Sequence, residues 1–484
     1  MTSHHGGAKA KRGLRDLGLC VGAMVGVTLG SPASALSELG TGDASSALSH
    51  ASHLHHHADC AICCGDVSAG SPDGVDFADF QIGARWTSTA LTPLGVGARG
   101  TPVTLTWGFA QEGSTIVSTR ASEATGPSSL VAFLDGIRDP ASTGGADLTQ
   151  RNWFGLFEQS FGRLDELSGV TYVYEPNDDG ANISGSLSNA TLGSPGVRAD
   201  IRIGGHSIDG QASPNTLAYN YFPAGGDMVL DTDNVNLYSS TFLNDLQFRQ
   251  VIMHEAGHGL GLSHVESNNS NQLMEPFINI AFDGPQFDDI LGLHRNYGDS
   301  REENGGNDFF ITADDLGTFD NGDAFALGTD AGNTSVVTPG MTDFVSIDDD
   351  SDEDWYRFTI TEPTVAVDAI LTPKGPTYNE GPQNAPNASN PVPQTVLNTA
   401  ALSDLRLRLL DQQLNVIVDA DQTVAGGAES AAGVVLGPGD YYVAVSGADN
   451  QVQMYRLDLI FTPEPALATA LLGVLTLIGR RRRL

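Results

Sequence analysis

From residue 76 onward, the order of apolar and polar positions divides the chain into two regimes. In TPVTLTWGF, Val103, Leu105, Trp107 and Phe109 fall on alternate positions, which predicts a half-buried strand. Residues 147–167 instead carry Trp153, Phe157, Phe161, Leu164 and Leu167 at helical spacing, and the VTYVY that follows reads as a strand. Further strands are expected at DIRI, LAYNYF and DMVLD, which begin at Asp200, Leu217 and Asp227. Two more helices are expected over residues 244–258 and 286–297, the second with Asp288 and Asp289 favouring its positive N-terminal end. Strands interrupted by three main helices describe an α/β or α+β domain over residues 76–298.

Beyond Gly298 the stretch DSREENGGND is polar and glycine-rich, and residues 299–307 read as a linker. From 308 to 461 the helical period is gone. DWYRFTI, VAVDAIL, LRLRLL, NVIV, DYYVAVSG and MYRLDLIF alternate instead, separated by Gly, Pro, Asn and Asp, which predicts an all-β antiparallel sandwich.

Two uninterrupted apolar runs lie at the ends, each too short to span a bilayer comfortably. LGLCVGAMVGVTLG follows Lys9, Lys11, Arg12 and Arg15 and precedes SPASA, where Ala33 and Ala35 fit a secretory cleavage site, so residues 1–35 read as a signal peptide. ALATALLGVLTLIG follows Pro463-Glu464-Pro465 and precedes Arg480, Arg481, Arg482 and Arg483. That order resembles the PEP-CTERM sorting signal of Gram-negative bacteria over residues 462–484. The resemblance implies an exosortase-type processing enzyme as partner and an exported protein, extracellular or at the cell surface of a Gram-negative-type bacterium. The membrane is then met only transiently, through the signal peptide and the sorting tail.

Composition sharpens this picture by exclusion. In 484 residues, 24 Lys or Arg face 59 Asp or Glu, a formal charge of −35, which rules out a nucleic-acid partner bound through phosphate neutralisation. Hydrophobic residues at 40% rule out a chain disordered throughout. Apart from Cys20, within the N-terminal apolar run, the cysteines are Cys60, Cys63 and Cys64, too few and too close to staple several hundred residues. They lie in residues 36–75, a Gly-, Ala-, Ser- and His-rich pro-segment or linker without apolar period.

The chemistry is concentrated in VIMHEAGHGLGLSH. Residues four apart share a helix face, so His254 and His258 can direct both imidazoles at one ion, while Gly261 permits a sharp exit that brings His264 round as third ligand. Three neutral nitrogen ligands leave one position of Zn²⁺ open, the mark of a catalytic site, and Glu255 is placed to take a proton from water there. The full HExxHxxGxxH, then NQLMEP with Met274, then QFDDILGLHRNYG, with ADIRIGG, DGQASPNTLAYNYFP and GGDMVLDTD upstream, resembles the matrixin branch of the metzincin zinc peptidases. The resemblance implies a metzincin-like fold with a twisted mixed sheet. It also implies zinc on His254, His258 and His264, Glu255 as catalytic base, Met274 as support beneath the metal, and proteins or peptides as substrates. It makes the strand containing Leu217, Ala218 and Tyr219 the edge along which an extended peptide pairs.

Departures qualify it. Two positions that carry structural-zinc histidines in animal matrixins hold Tyr219 and Val229, and His206 alone cannot hold a metal, so no structural zinc is expected. Asp209, Gly210, Asp227 and Asp231 stand at positions resembling a Ca²⁺ loop. Phe277, Ile278 and Phe282, within residues 275–287, are candidates for an apolar specificity wall. A thiolate from Cys60, Cys63 or Cys64 as a latency device on the open metal position competes with a local disulfide or adventitious metal binding. SIDDDSDEDWYRFTI and LGPGDYYVAVSG resemble the bacterial pre-peptidase C-terminal domain, and its acidic run over residues 348–354 is either a Ca²⁺ site or a solvated turn. The function expected is a secreted zinc metalloendopeptidase. The alternative is a surface adhesion or matrix protein with a vestigial peptidase domain, against which the intact ligand set argues.

Overall fold

The computed structural model describes residues 80–463 except 81, 119–122, 142–144, 185–191, 211–215, 269, 333, 335 and 385–391. The signal-like run, the His- and Cys-bearing segment and the PEP-CTERM-like tail lie outside the described residues.

The first half runs β1 (Val103–Phe109), a short hairpin β2 (Thr115–Ile116) and β3 (Gly126–Pro127), α1 (Leu130–Arg138), α2 (Phe154–Asp165), β4 (Val170–Tyr174), β5 (Ile201–His206), β6 (Ala218–Asn220), β7 (Met228–Asp231), α3 (Val235–Ser239), α4 (Leu246–Gly259), β8 (Val265–Ser267) and α5 (Phe287–Tyr297). Five strands form one sheet in the order β4-β1-β5-β7-β6. All neighbours are parallel except β6, which runs antiparallel along β7 at the sheet edge. Parallel neighbours need crossover connections, and α1 and α2 supply the one between β1 and β4.

Two expectations change here. β1 is buried at six of its seven positions rather than half-buried, because its polar face is also covered: the Asp200 carboxylate accepts both the backbone N–H and the hydroxyl of Thr106. Its apolar face meets the helical stripe, with Trp107 4.8 Å from Phe161 and Phe109 4.9 Å from Phe157 between ring centroids. The site helix starts at Leu246 rather than 244, since Leu243, Asn244 and Asp245 all have positive φ, a left-handed run that a right-handed helix cannot include.

The second half is β-rich, with strands β9 (Asp314–Phe319), β10 (Ala324–Leu327), β11 (Val345–Ile347), β12 (Glu353–Ile360), β13 (Val365–Pro373), β14 (Thr377–Pro382), β15 (Thr395–Asn398), β16 (Leu405–Asp411), β17 (Val416–Ala420), β18 (Glu429–Leu436), β19 (Gly439–Gly447) and β20 (Gln453–Thr462). One sheet has the order β10-β20-β13-β18 with β11 also on β20, and the other β17-β16-β19-β12-β9. Their facing side chains, including Tyr356, Phe358, Val367, Leu407, Val443 and Phe461, make a separate core. The sandwich is not wholly antiparallel: β9 lies parallel to β12, since the chain between them visits the opposite sheet through β10 and β11.

The seam between the halves is packed, and residues 299–307 do not form a solvated linker. Asp299 and Asn307 are fully buried, and the Asp299 carboxylate accepts the backbone N–H groups of Arg301 and Ser346. Val337, Phe344, Tyr378, Leu397, Val452 and Met454 of the second half belong to the core of the first. Arg163 on α2 donates to the carbonyls of Thr338 and Met341, and His294 on α5 bonds Ser346 Oγ at 2.8 Å. A shared core couples the two halves energetically. Calorimetric unfolding of the full chain should therefore give one heat-absorption peak; two well-separated peaks would show that the halves unfold independently.

Candidate metal centre

Helix α4 is buried at all fourteen positions despite carrying Gln247, Arg249, Gln250, His254, Glu255 and His258. Buried polar groups require partners. Arg249 makes a two-pronged ion pair with Asp283, at 2.6 and 2.8 Å, and Gln250 bonds the carbonyls of Asn279 and Phe282 and the N–H of Gly284. These contacts anchor the stretch carrying Phe277, Ile278 and Phe282, which lies half-buried to buried beside the helix.

The helix ends in a Schellman turn: Leu262 N–H donates to Gly257 O and Gly261 N–H to His258 O, both at 2.9 Å. Gly261 has φ +95°, and a Cβ there would lie 1.9 Å from the Ala84 carbonyl oxygen, so only glycine fits. The indole N–H of Trp86 and the hydroxyl of Tyr297 satisfy the terminal carbonyls of Gly259 and Leu260. Reversed by this turn, the chain carries His264 back to His254 and His258.

The three imidazoles meet through their Nε2 atoms: His264 Nε2 lies 3.1 Å from that of His254 and 3.1 Å from that of His258. Each Nδ1 faces an oxygen that can only accept, namely Leu273 O at 2.7 Å, Leu262 O at 2.7 Å and Gln383 Oε1 at 2.6 Å. The Nδ1 atoms therefore hold the protons and the Nε2 lone pairs point at one another. Burial, then the neighbouring His264, pushes the His254 imidazole down to about 3, so it is neutral at pH 7. Three converging neutral nitrogens repel unless a cation lies among them, and their spacing suits an ion such as Zn²⁺ with bonds of about 2.0–2.1 Å. Glu255 is 3% exposed on the same helix.

Met274 lies directly beneath: a Cβ at Gly257 would meet its Sδ at 2.5 Å. One buried carboxylate holds that turn, since Asp289 accepts the N–H groups of Leu273 at 2.7 Å, Met274 at 3.0 Å and Gln286 at 2.7 Å. In the sequence Asp289 signals only a helix N-terminus; its grip on the turn fifteen residues upstream is a tertiary fact.

Residues 198–298 match the matrixin family. The matched segment runs from β5 through α5 and contains the whole histidine cluster. Matrix metalloproteinase-15 of Homo sapiens is 40% identical over 89 residues, 17% of this chain and 13% of that protein. Matrix metalloproteinase-25 of Mus musculus is 35% identical over 95 residues, 18% and 15% respectively. The chain thus spans about a seventh of the length of the curated relatives it matches. Among solved structures, the pre-peptidase C-terminal domain of collagenase from Bacillus anthracis covers 30% of this chain and 93% of its own length at 14% identity, with a TM-score of 0.17. A beta-glucosidase from Paenibacillus barengoltzii covers 31% and 11% at 12% identity, with a TM-score of 0.15. Overlaps this low bear on neither fold nor activity.

Around the matrixin segment the remaining expected residues are distributed as follows. β6 is the last strand of the sheet, and Leu217 just before it accepts the Tyr238 hydroxyl. The Tyr219 hydroxyl donates to Glu123 Oε1 at 2.8 Å, and His206 Nε2 meets the same oxygen at 2.6 Å, with Val229 in the adjoining cluster. Of the residues of the expected calcium loop, Asp227 immediately precedes β7 and Asp231 ends it, about 13 Å apart at strand rise. Asp227 accepts the Arg202 N–H, and Asp231 accepts from Ile208, Asp233 and Asn234. Asp209 accepts the Thr216 N–H, and Gly210 takes a turn at φ +68°.

A different acidic group converges at the seam. Glu302, Asp352 and Asp354 bring carboxylate oxygens within 4.8 Å of one another. Burial, and behind it the surrounding carboxylates, pushes Asp352 up to about 8 and Glu302 and Asp354 upward as well. Glu302 Oε1 and Asp354 Oδ1 are buried without a hydrogen-bond partner.

Burial also pushes Asp289 up to about 6. With the folded-state value raised, its linked stabilisation is complete below the ordinary carboxylate range and is lost as pH rises through about 6. Asp289→Asn cannot ionise, so its deficit in stability against the parent should be largest near pH 5 and narrow by on the order of 2 kcal/mol by pH 8. Thermal unfolding across that range checks the sign; a widening gap would contradict it.

Proposed function

We propose that the protein is an exported, zinc-dependent metalloendopeptidase of matrixin type that hydrolyses peptide bonds in proteins or peptides. The observation that carries this reading is the convergence of three Nε2 lone pairs beside the buried Glu255, within the segment that matches the matrixins. His254, His258 and His264 would hold the ion, with Met274 packed beneath. When bound, the ion supplies Lewis acidity, polarising the scissile carbonyl and acidifying water. Glu255 takes up the proton of the attacking water and delivers it to the leaving amine. An extended substrate pairs along β6, at the edge of the sheet, while Phe277, Ile278 and Phe282 shape an apolar wall held in place by Gln250 and Arg249. The apolar runs at the two ends support export and processing by an exosortase-type enzyme.

A Ca²⁺ ion at Glu302, Asp352 and Asp354 completes the proposal. It is supported by the two buried, unpartnered carboxylate oxygens and by the hardness of an all-oxygen donor set. The ion would bind at the junction of the two halves and relieve the repulsion among the carboxylates there.

Glu255→Ala should keep stoichiometric zinc and a normal unfolding midpoint but lose casein hydrolysis by about 10²–10⁴-fold; full activity in that variant would sink the mechanism. Millimolar Ca²⁺ should raise the unfolding midpoint of metal-stripped protein by about 2 °C or more, and Glu302→Gln combined with Asp354→Asn should abolish the rise without changing zinc content. A midpoint that ignores Ca²⁺ would remove the second ion.

A further inference from the structure

Each histidine of the centre donates its Nδ1 proton to an oxygen, but the three oxygens differ in origin. His254 and His258 use carbonyls of Leu273 and Leu262, close to them in sequence. His264 uses the side-chain amide oxygen of Gln383, 119 residues downstream and in the β-rich half of the chain.

The placement follows from strand register. After His264 the chain enters β8, which pairs antiparallel with β14, itself paired to β15, so that a hairpin of the second half extends a strand of the first. The pairs are Glu380 with Ser267, Gly381 with Glu266 and Pro382 with Val265. One further step sets Gln383 opposite His264, and directly opposed residues of antiparallel strands project to the same face. The hairpin is fastened elsewhere: the Tyr378 hydroxyl donates to Asp288 at 2.5 Å, Glu380 accepts the Phe80 N–H, and the Asn384 side chain and backbone N–H donate to Glu266.

We infer that Gln383 is a positioning residue of the metal centre, supplied by the β14–β15 hairpin, and that the two halves of the chain therefore form one catalytic unit. This rests on the peptidase reading above. The Gln383 amide oxygen fixes the third imidazole as the Nδ1–H tautomer and sets its ring plane, so that the Nε2 lone pair is aimed before the ion arrives. An outer oxygen of this kind typically accounts for about 10–100-fold in metal affinity or activity. Without it His264 can rotate or exchange tautomers, and its Nε2 is no longer held toward those of His254 and His258.

The test uses the full chain and three variants, Gln383→Leu, Gln383→Glu and Asn384→Ala. Readouts are the zinc dissociation constant by chelator competition, the visible absorption of the Co²⁺-substituted protein, and kcat and KM on a casein-derived peptide. Gln383→Leu should bind zinc about 10–100-fold more weakly, shift the Co²⁺ bands and lower kcat more than it raises KM. Gln383→Glu keeps an acceptor at the same place and should restore affinity and bands toward those of the parent. Asn384→Ala, which removes its side-chain bond to Glu266 but keeps the Gln383 acceptor, should shift the bands less than Gln383→Leu does. Parent-like affinity and Co²⁺ bands in Gln383→Leu would overturn the inference while leaving the peptidase reading intact, as would bands shifted equally by Asn384→Ala. Failure of the parent chain to bind zinc would overturn the peptidase reading and this inference with it.

Discussion

Three imidazoles must present their lone pairs to one point, and in a protein without bulk water among them that arrangement is held only if every ring is gripped from behind. Each grip includes a hydrogen bond of 2.6–2.7 Å from Nδ1. The rest of the molecule can be understood as what keeps those three acceptors in place. The Schellman turn at Gly261 positions Leu262 O, the Asp289 carboxylate fixes the turn whose Leu273 O serves His254, and the β8–β14 pairing brings Gln383 to His264.

This constraint also explains why so polar a helix is fully buried. Desolvating Arg249, Gln250 and the histidines is costly unless each finds a partner. The partners of Arg249 and Gln250 lie in the stretch that forms one wall of the proposed cleft, so that satisfying those two side chains and shaping the cleft are the same set of contacts. In the last turns of α5, His294 and Arg295 repeat the pattern, reaching Ser346, the Asp348 carbonyl and Asn450 in the second half. The net negative charge is tolerated where carboxylates are exposed or paired with arginine, and it becomes most costly at the seam, where Glu302, Asp352 and Asp354 are pressed together. The Ca²⁺ ion proposed there would offset that cost.

Much of the architecture was legible in the amino-acid order. The alternation in TPVTLTWGF and MYRLDLIF and the helical stripe from Trp153 to Leu164 each correspond to an element at that place. Those patterns are local, because a strand or helix with one buried face repeats its apolar residues at its own period. Local pattern misleads in two ways. Where a residue's partner is distant, period misleads: Thr106 looks solvent-facing until Asp200 covers it. Where composition stands in for contact it fails as well, and DSREENGGND looked like a linker although Asp299 and Asn307 are fully buried.

The histidine cluster shows the division most clearly. That His254 and His258 share a face, and that a glycine three residues on lets the chain return with His264, are consequences of 3.6 residues per turn and of glycine's access to positive φ. The order of residues alone determined them. That Asp289 holds the turn under the site, that Asp227 and Asp231 lie a strand's length apart, and that a glutamine from the other half completes the support of His264 were decided only by the tertiary structure. The reason is physical: helical period and turn chemistry act over a few neighbouring residues, whereas a hydrogen bond across a sheet register depends on where two strands meet, and no local pattern encodes that meeting.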